Sequence, residues 1–245
     1  MIDLSNISTR APKGLDKDEI KARTRELAEE VHDLQETMYA EGKHSLLAVF
    51  QGMDSSGKDG TSRKVFRECG PAHVSGVSFG KPTDEERAHD FLWRVHRHAP
   101  AKGKITVFNR SHYEDILIQR VHGWITEEQV KERMASINAW EHLLQYDNGT
   151  TVAKFYLHIS HGRQQEKLQA RIDEPEDNWK HNPNDWNESE RWDDYRKAYE
   201  YAINESRIPW IIVPADQKWY RDYFATLKVV EILRSLNMKR PTLSR

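Results

Sequence analysis

Over residues 15–41, Ile20, Leu27, Val31, Leu34 and Met38 recur at three- and four-residue steps among charged neighbours. That period predicts one long amphipathic helix, with Gly42 as its C-terminal stop. Its apolar stripe either covers the core or pairs with a second subunit. The pattern then changes: Ser45-Leu-Leu-Ala-Val-Phe-Gln51 is an unbroken apolar run of strand length, suited to a strand buried on both faces. A helix is expected over residues 61–68 and a second strand over 74–79, ended by Lys81-Pro82. Thr83 and Glu86 have capping-box spacing and predict one helix running through Phe91, Trp93 and Val95. Residues 105–108 read as a third strand. Thr126 and Gln129 cap a helix to about residue 146, and Asn148-Gly149 is a turn. Residues 151–159 form a fourth strand, and Ser160 opens a polar, basic helix to about residue 173. Residues 174–188, rich in Asn, Asp and Trp with two Pro, are expected to be irregular. A helix over 191–204, a fifth strand over 210–213 and a closing helix over 220–236 complete the chain.

Strands alternating with helices give an α/β fold: a five-stranded parallel sheet with helices on both faces. The expectation is a single domain over residues 1–245, with an N-terminal helical segment over 1–43 and an insertion over 160–190. Composition narrows the class. Hydrophobic residues are only 37% of the chain, but eight Trp, nine Tyr and seven Phe supply enough bulk for a packed core and argue against disorder. The longest apolar runs, such as residues 46–50, are too short to cross a bilayer, and no apolar leader follows Met1. A cytoplasmic, membrane-free protein is expected. Cys69 is the single cysteine, so an internal disulfide and a cysteine-based zinc site are excluded. With 37 basic and 39 acidic residues there is no global attraction to nucleic acid, and any anion must be held by local clusters.

One such cluster is explicit. Gly52-Met-Asp-Ser-Ser-Gly57-Lys58 lies between an apolar strand and a helix, the context in which a glycine-rich loop cradles phosphate. Gly52, Gly57 and Gly60 let the backbone curl so that N–H groups point inward, and the helix adds its positive end. Lys58 would reach across the phosphates, with Ser55, Ser56 and Thr61 around it. Asp59 stands where Ser or Thr usually follows the lysine, and Asp54 sits inside the loop. Carboxylates beside a phosphate repel it unless a cation intervenes, so they argue for Mg²⁺. Asp54 is the first choice as its ligand; Asp59 either joins that role or caps its helix. Asn109-Arg110-Ser111 ends the third strand, where ligands of open sheets lie, and Glu114 and Asp115 follow one turn on. Lys167 and Arg171 share a face of the basic helix, either as a solvated surface or as part of a closing lid. Arg63, Lys64, Arg67 and Lys81 are candidates for holding a polyanion, or are simply solvated. His89, His96 and His98 lack a fourth ligand and read as packing histidines; Trp179, Trp186, Trp192 and Tyr195 either stack a base or pack beneath the lid.

Gly52-Met-Asp-Ser-Ser-Gly-Lys-Asp-Gly-Thr61, His89-Asp-Phe-Leu-Trp-Arg94, Phe108-Asn-Arg-Ser-His-Tyr-Glu-Asp115 and Pro214-Ala-Asp-Gln-Lys-Trp-Tyr220 together resemble the polyphosphate kinase 2 family, over about residues 15–237. The resemblance implies a thymidylate-kinase-like P-loop fold, a three-layer sandwich with a helical lid, and a homo-oligomer, dimer or tetramer. It implies Mg²⁺-dependent, direct in-line transfer of the terminal phosphoryl group of inorganic polyphosphate to a nucleotide. The Asn-Arg-Ser-His-Tyr-Glu form is similar to the class that takes both AMP and ADP, giving ADP and ATP. On this resemblance Asp54, Lys58, Arg110, Glu114, Lys167 and Arg171 are catalytic, Asp54 and Glu114 hold the metal, and Asp90, Arg94, Asn109 and Arg110 border the acceptor nucleotide. An ATP-dependent nucleoside or nucleotide kinase and an NTP-binding switch are the alternatives; Asp59 speaks against the switch.

Overall fold

The computed structural model describes residues 1–243. After a 3₁₀ turn at Leu4–Asn6, the chain runs α1 (Lys17–Glu41), β1 (Ser45–Gln51), α2 (Lys58–Val65), β2 (Val74–Ser78), α3 (Asp84–Arg87), α4 (Trp93–His96) and β3 (Ile105–Asn109). It continues through α5 (Ile118–Val121), α6 (Glu127–Asn148), β4 (Thr150–His158), α7 (His161–Asp173), α8 (Asn184–Glu190), α9 (Trp192–Glu205), β5 (Trp210–Pro214) and α10 (Lys218–Ser235). The strands form one all-parallel sheet in the order β2-β3-β1-β4-β5. The central strand β1 is buried at every position, which is why its sequence is a continuous apolar run and not an alternation. Pairing of Phe50 with Asn109 and of Gln51 with Tyr156 brings the loops after β1, β3 and β4 together at one end of the sheet.

Local signals in the sequence set the helix ends. Gly42 and Gly149 close α1 and α6 in the left-handed conformation, at φ 65° and 67°. Thr83/Glu86 and Thr126/Gln129 form reciprocal capping boxes. Three expectations are corrected. The single helix expected after Thr83 is two short turns, because the Asp90 carboxylate takes the Leu92 N–H at 3.0 Å and breaks the ladder. The helix expected from residue 61 begins at Lys58, because Gly57 at φ +98° supplies the entry turn. The segment expected to be irregular holds a 3₁₀ turn, Pro175–Lys180, and all but the last two residues of α8.

Helix α1 lies against α10, and α10 packs in turn on α2, β4 and β5. Beneath α6 the sheet carries a buried polar network. Lys154 on β4 donates to Glu141 of α6 at 2.7 Å and to the Tyr113 hydroxyl at 2.6 Å, and His112 sits 3.2 Å from the same carboxylate. Lys154, Glu141 and His112 have no solvent exposure. Burial alone would raise the Glu141 carboxyl, but His112 and Lys154 outweigh it and hold it below the usual range.

Candidate active site

The loop between β1 and α2 wraps around Lys58. Its Nζ donates to the Gly52 and Met53 carbonyls at 2.7 and 3.1 Å. Three other side chains take the next three carbonyls. Gln164 Nε2 donates to Asp54 (3.1 Å), Lys167 Nζ to Ser55 (3.1 Å) and Arg221 Nη1 to Ser56 (3.1 Å). In a planar peptide the N–H of the next residue points opposite to the carbonyl. Tying the carbonyls of residues 54–56 to α7 and α10 therefore turns the Ser55 and Gly57 N–H groups the other way, as an anion cradle requires, while the Ser56 N–H is taken by the Met53 carbonyl at 3.1 Å. The Ser55 and Ser56 hydroxyls are buried without a partner, a further polar lining that awaits an acceptor or donor. Gly57, at φ +98°, takes a conformation strained for any other residue, and a side chain there would push Arg221 away from the loop. A Cβ there would lie 1.9 Å from Arg221 Nη1.

The charged groups foreseen in the sequence converge here. Arg110, at φ 57°, reaches from the end of β3 to Asp54 at 3.0 Å. Burial would raise the Asp54 carboxyl, but Lys58 and Arg110 overcome it and hold it below its ordinary value. Burial pulls the Lys58 ammonium down, against the attraction of Asp54. Glu114 accepts from Gln51 Nε2 at 3.0 Å, and burial lifts its carboxyl above its usual range despite Arg110 and Lys58. Lys167 is pulled down to about 8, first by burial and then by Arg221 and Arg163. Arg171 pairs with Asp185 at 2.7 Å and so joins α7 to α8.

Two cavities flank α7. One, of about 400 Å³, is lined by Gly52, Asp54, Arg94, Arg110, Glu114 and Gln164, with Trp124, Trp192, Tyr195 and Tyr199. The other, of about 1000 Å³, is lined by Arg10, Lys17, Lys21, Arg25, Lys64, Arg163 and Lys218, against Glu166, Asp216 and Asp222. Adjacent residues of one helix, Arg163 and Gln164, thus face different cavities, and Lys167, which lines neither, holds the Ser55 carbonyl of the loop.

Not every predicted residue joins this site. Arg63 and Arg67 are exposed and line neither cavity, and Arg67 pairs with its neighbour Glu68 at 2.7 Å. Lys81 lines the aromatic cavity, not the basic one. Asp59 and Gly60 are exposed, and Asp59 makes no capping bond; Thr61 is turned to Gly57 and Asp222. Arg94 lines the aromatic cavity, paired to Asp115 at 3.1 Å, whereas Asp90 is exposed and away from it. Asn109 accepts from Ser62 at 3.1 Å and lines neither cavity. Trp179 is 80% exposed, but Trp192 and Tyr195 face the aromatic cavity. His89 stacks on Trp93, His96 accepts from Trp140 and His98 packs against Phe79. Gln164 and Arg221 had no sequence signal. The basic stripe of α1 had one: Lys17, Lys21 and Arg25 recur every four residues.

A family model, polyphosphate kinase 2, matches residues 14–242. The chain belongs to the polyphosphate kinase 2 family. It is 46% identical over 211 residues to an AMP/ADP-polyphosphate phosphotransferase of Meiothermus ruber, covering 85% of this chain and 79% of that one. An ADP-polyphosphate phosphotransferase of Rhodopseudomonas palustris is 41% identical, with 87% and 78% covered. The crystal structure of polyphosphate kinase 2 from Arthrobacter aurescens TC1 superposes with a TM-score of 0.95 at 37% identity, over 100% of this chain and 89% of that one. Membership of the polyphosphate kinase 2 family agrees with the P-loop architecture read from the β1–α2 motif. Among the described residues no helix is long and apolar enough to cross a membrane.

Proposed function

We propose that this chain transfers the terminal phosphoryl group of inorganic polyphosphate directly to AMP or ADP. The observation that carries the reading is a pair of unlike cavities on either side of α7, the smaller lined by the phosphate loop and the larger by Lys64 of the helix that the loop opens. Seven cations line the larger one, the chemistry a flexible polyanion needs, and a nucleotide suits the smaller, with its aromatic rings and Arg110. The names of the relatives in Meiothermus and Rhodopseudomonas support the same substrates.

Phosphoryl transfer asks for positioning and charge stabilisation, not covalent chemistry from the protein. Lys58 and the loop N–H groups would hold the phosphoryl group in transit, Arg110 would steady the acceptor phosphate, and Lys167 would add positive charge beside the loop whose Ser55 carbonyl it holds. Helices α7 and α8 would act as a lid that excludes water, so that the nucleotide and not solvent receives the phosphoryl group. Among the described residues no cluster of three His, Cys, Asp or Glu could cage a metal. Mg²⁺ instead takes one or two carboxylates plus substrate phosphates, and Asp54 and Glu114, both lining the nucleotide cavity, fit that donor set. When bound, the ion would neutralise charge on the phosphate oxygens. The proposal places the protein in the cytoplasm as a dimer or tetramer, which sedimentation would read.

The test is to incubate the protein with Mg²⁺, polyphosphate and ADP or AMP, without ATP. ADP and ATP are expected to accumulate. No nucleotide product under these conditions, with phosphorylation only when ATP is supplied, would overturn the reading.

A further inference from the structure

The family model begins at residue 14, yet the thirteen residues before it are tied into the fold. Leu4 is buried and its N–H donates to Glu200 of α9 at 3.0 Å. His158, at the end of β4, donates to the Ile7 carbonyl at 3.1 Å. Thr9 exchanges two bonds with Asp216: its hydroxyl donates to the carboxylate at 2.7 Å, and its carbonyl accepts the Asp216 N–H at 3.0 Å. Asp216 also takes the N–H and hydroxyl of Ser160, the N-cap of α7, at 2.8 and 3.0 Å. The Ala11 N–H donates to Gln217 at 2.8 Å. The strap is therefore fixed on both sides of Arg10. Arg10 itself is exposed, has no acidic partner within salt-bridge distance among the described residues, and lines the basic cleft together with Lys64 and Lys218.

A cation held by an anchored backbone yet left without a counter-charge is placed for an anion from solution. We infer that the N-terminal strap is a wall of the polyanion cleft and that Arg10 is a polyphosphate-binding residue. The inference rests on the reading that the cleft receives polyphosphate, and goes beyond it by assigning a contact to a segment that the family model does not include. Guanidinium geometry matches phosphate oxygens in a two-pronged grip, so Lys substitutes only in part.

The experiment is equilibrium binding of polyphosphate to the 245-residue chain by calorimetry at several salt concentrations, with ATP synthesis measured alongside. Arg10→Ala is expected to weaken polyphosphate binding about fivefold and Arg10→Glu more, with Arg10→Lys between Ala and wild type. The salt dependence of binding should fall by about one phosphate contact in Arg10→Ala, an effect a purely structural role would not produce. The KM for ADP should stay unchanged. Wild-type affinity and salt slope in Arg10→Ala, or a rise in the KM for ADP instead, would overturn the inference. If polyphosphate binds in an Arg10-dependent manner but no ATP forms, the reaction assigned above fails while the binding role of Arg10 stands.

Discussion

Lys58 shows how much one side chain decides. It is drawn into the loop by two carbonyls and lies within the field of Asp54, so its ammonium is preorganised and not recruited at the moment of transfer. Lys58→Ala is expected to lower kcat by about 10²–10³, with an unchanged circular dichroism spectrum; a rate within threefold of wild type would contradict the mechanism. Lys167 makes a pH-dependent prediction. Partial burial near Arg221 and Arg163 pulls its ammonium down to about 8, so it is charged below that pH and neutral above. Loss of that charge weakens the attraction for a polyanion, so kcat/KM for polyphosphate should fall as pH rises through 8. A guanidinium keeps its proton throughout this range, so Lys167→Arg should move the descent to higher pH. An identical profile in both proteins would remove Lys167 as its cause.

Among the elements, β4 and α6 are joined by charges where apolar contact would be usual. Lys154 and Glu141 are each fully buried, and the pair also touches His112 and Tyr113, in the same turn as Arg110 and Glu114. Removing one partner leaves the other charge buried and unpaired. Lys154→Met should therefore cost about 3–5 kcal/mol of stability, and Lys154→Met with Glu141→Leu distinctly less, as thermal unfolding would read. Equal losses in the single and double variants would mean that the charges are not coupled. The network also bears on legibility. Lys154 interrupts an otherwise apolar strand, a visible anomaly in the sequence, but its partner lies thirteen residues earlier on another element. Strand and helix positions followed from period and caps, because those are local forces. The break at Asp90 did not: the capping box formed as read, but a side-chain turn further on stopped the helix it opened from continuing.

Across the whole molecule, α7 is both the partition between two cavities and the clamp on the loop below it. Its grip on α8 includes the Arg171–Asp185 pair, beside the Ser189 hydroxyl that donates to Gln164 at 2.9 Å. Arg171→Ala is expected to loosen this closure, lowering transfer about tenfold while raising the share of polyphosphate lost as free phosphate. Phosphate release no greater than in wild type, at reduced transfer, would assign Arg171 to the chemistry alone. The alternation of strands and helices, the phosphate loop, and the gathering of Arg110 and Glu114 beyond the third strand were all legible in the order of the residues. These are readable because period, glycine placement and strand ends act over a few residues. It took the packed molecule to show that Arg63 and Arg67 stay in solvent, that Arg221 braces the loop from α10, and that Arg10 and the α1 stripe meet Lys64 and Lys218 around one cleft. Those groups are far apart in the chain, and no local preference encodes which way a long, charged side chain points once sheet and helices have packed.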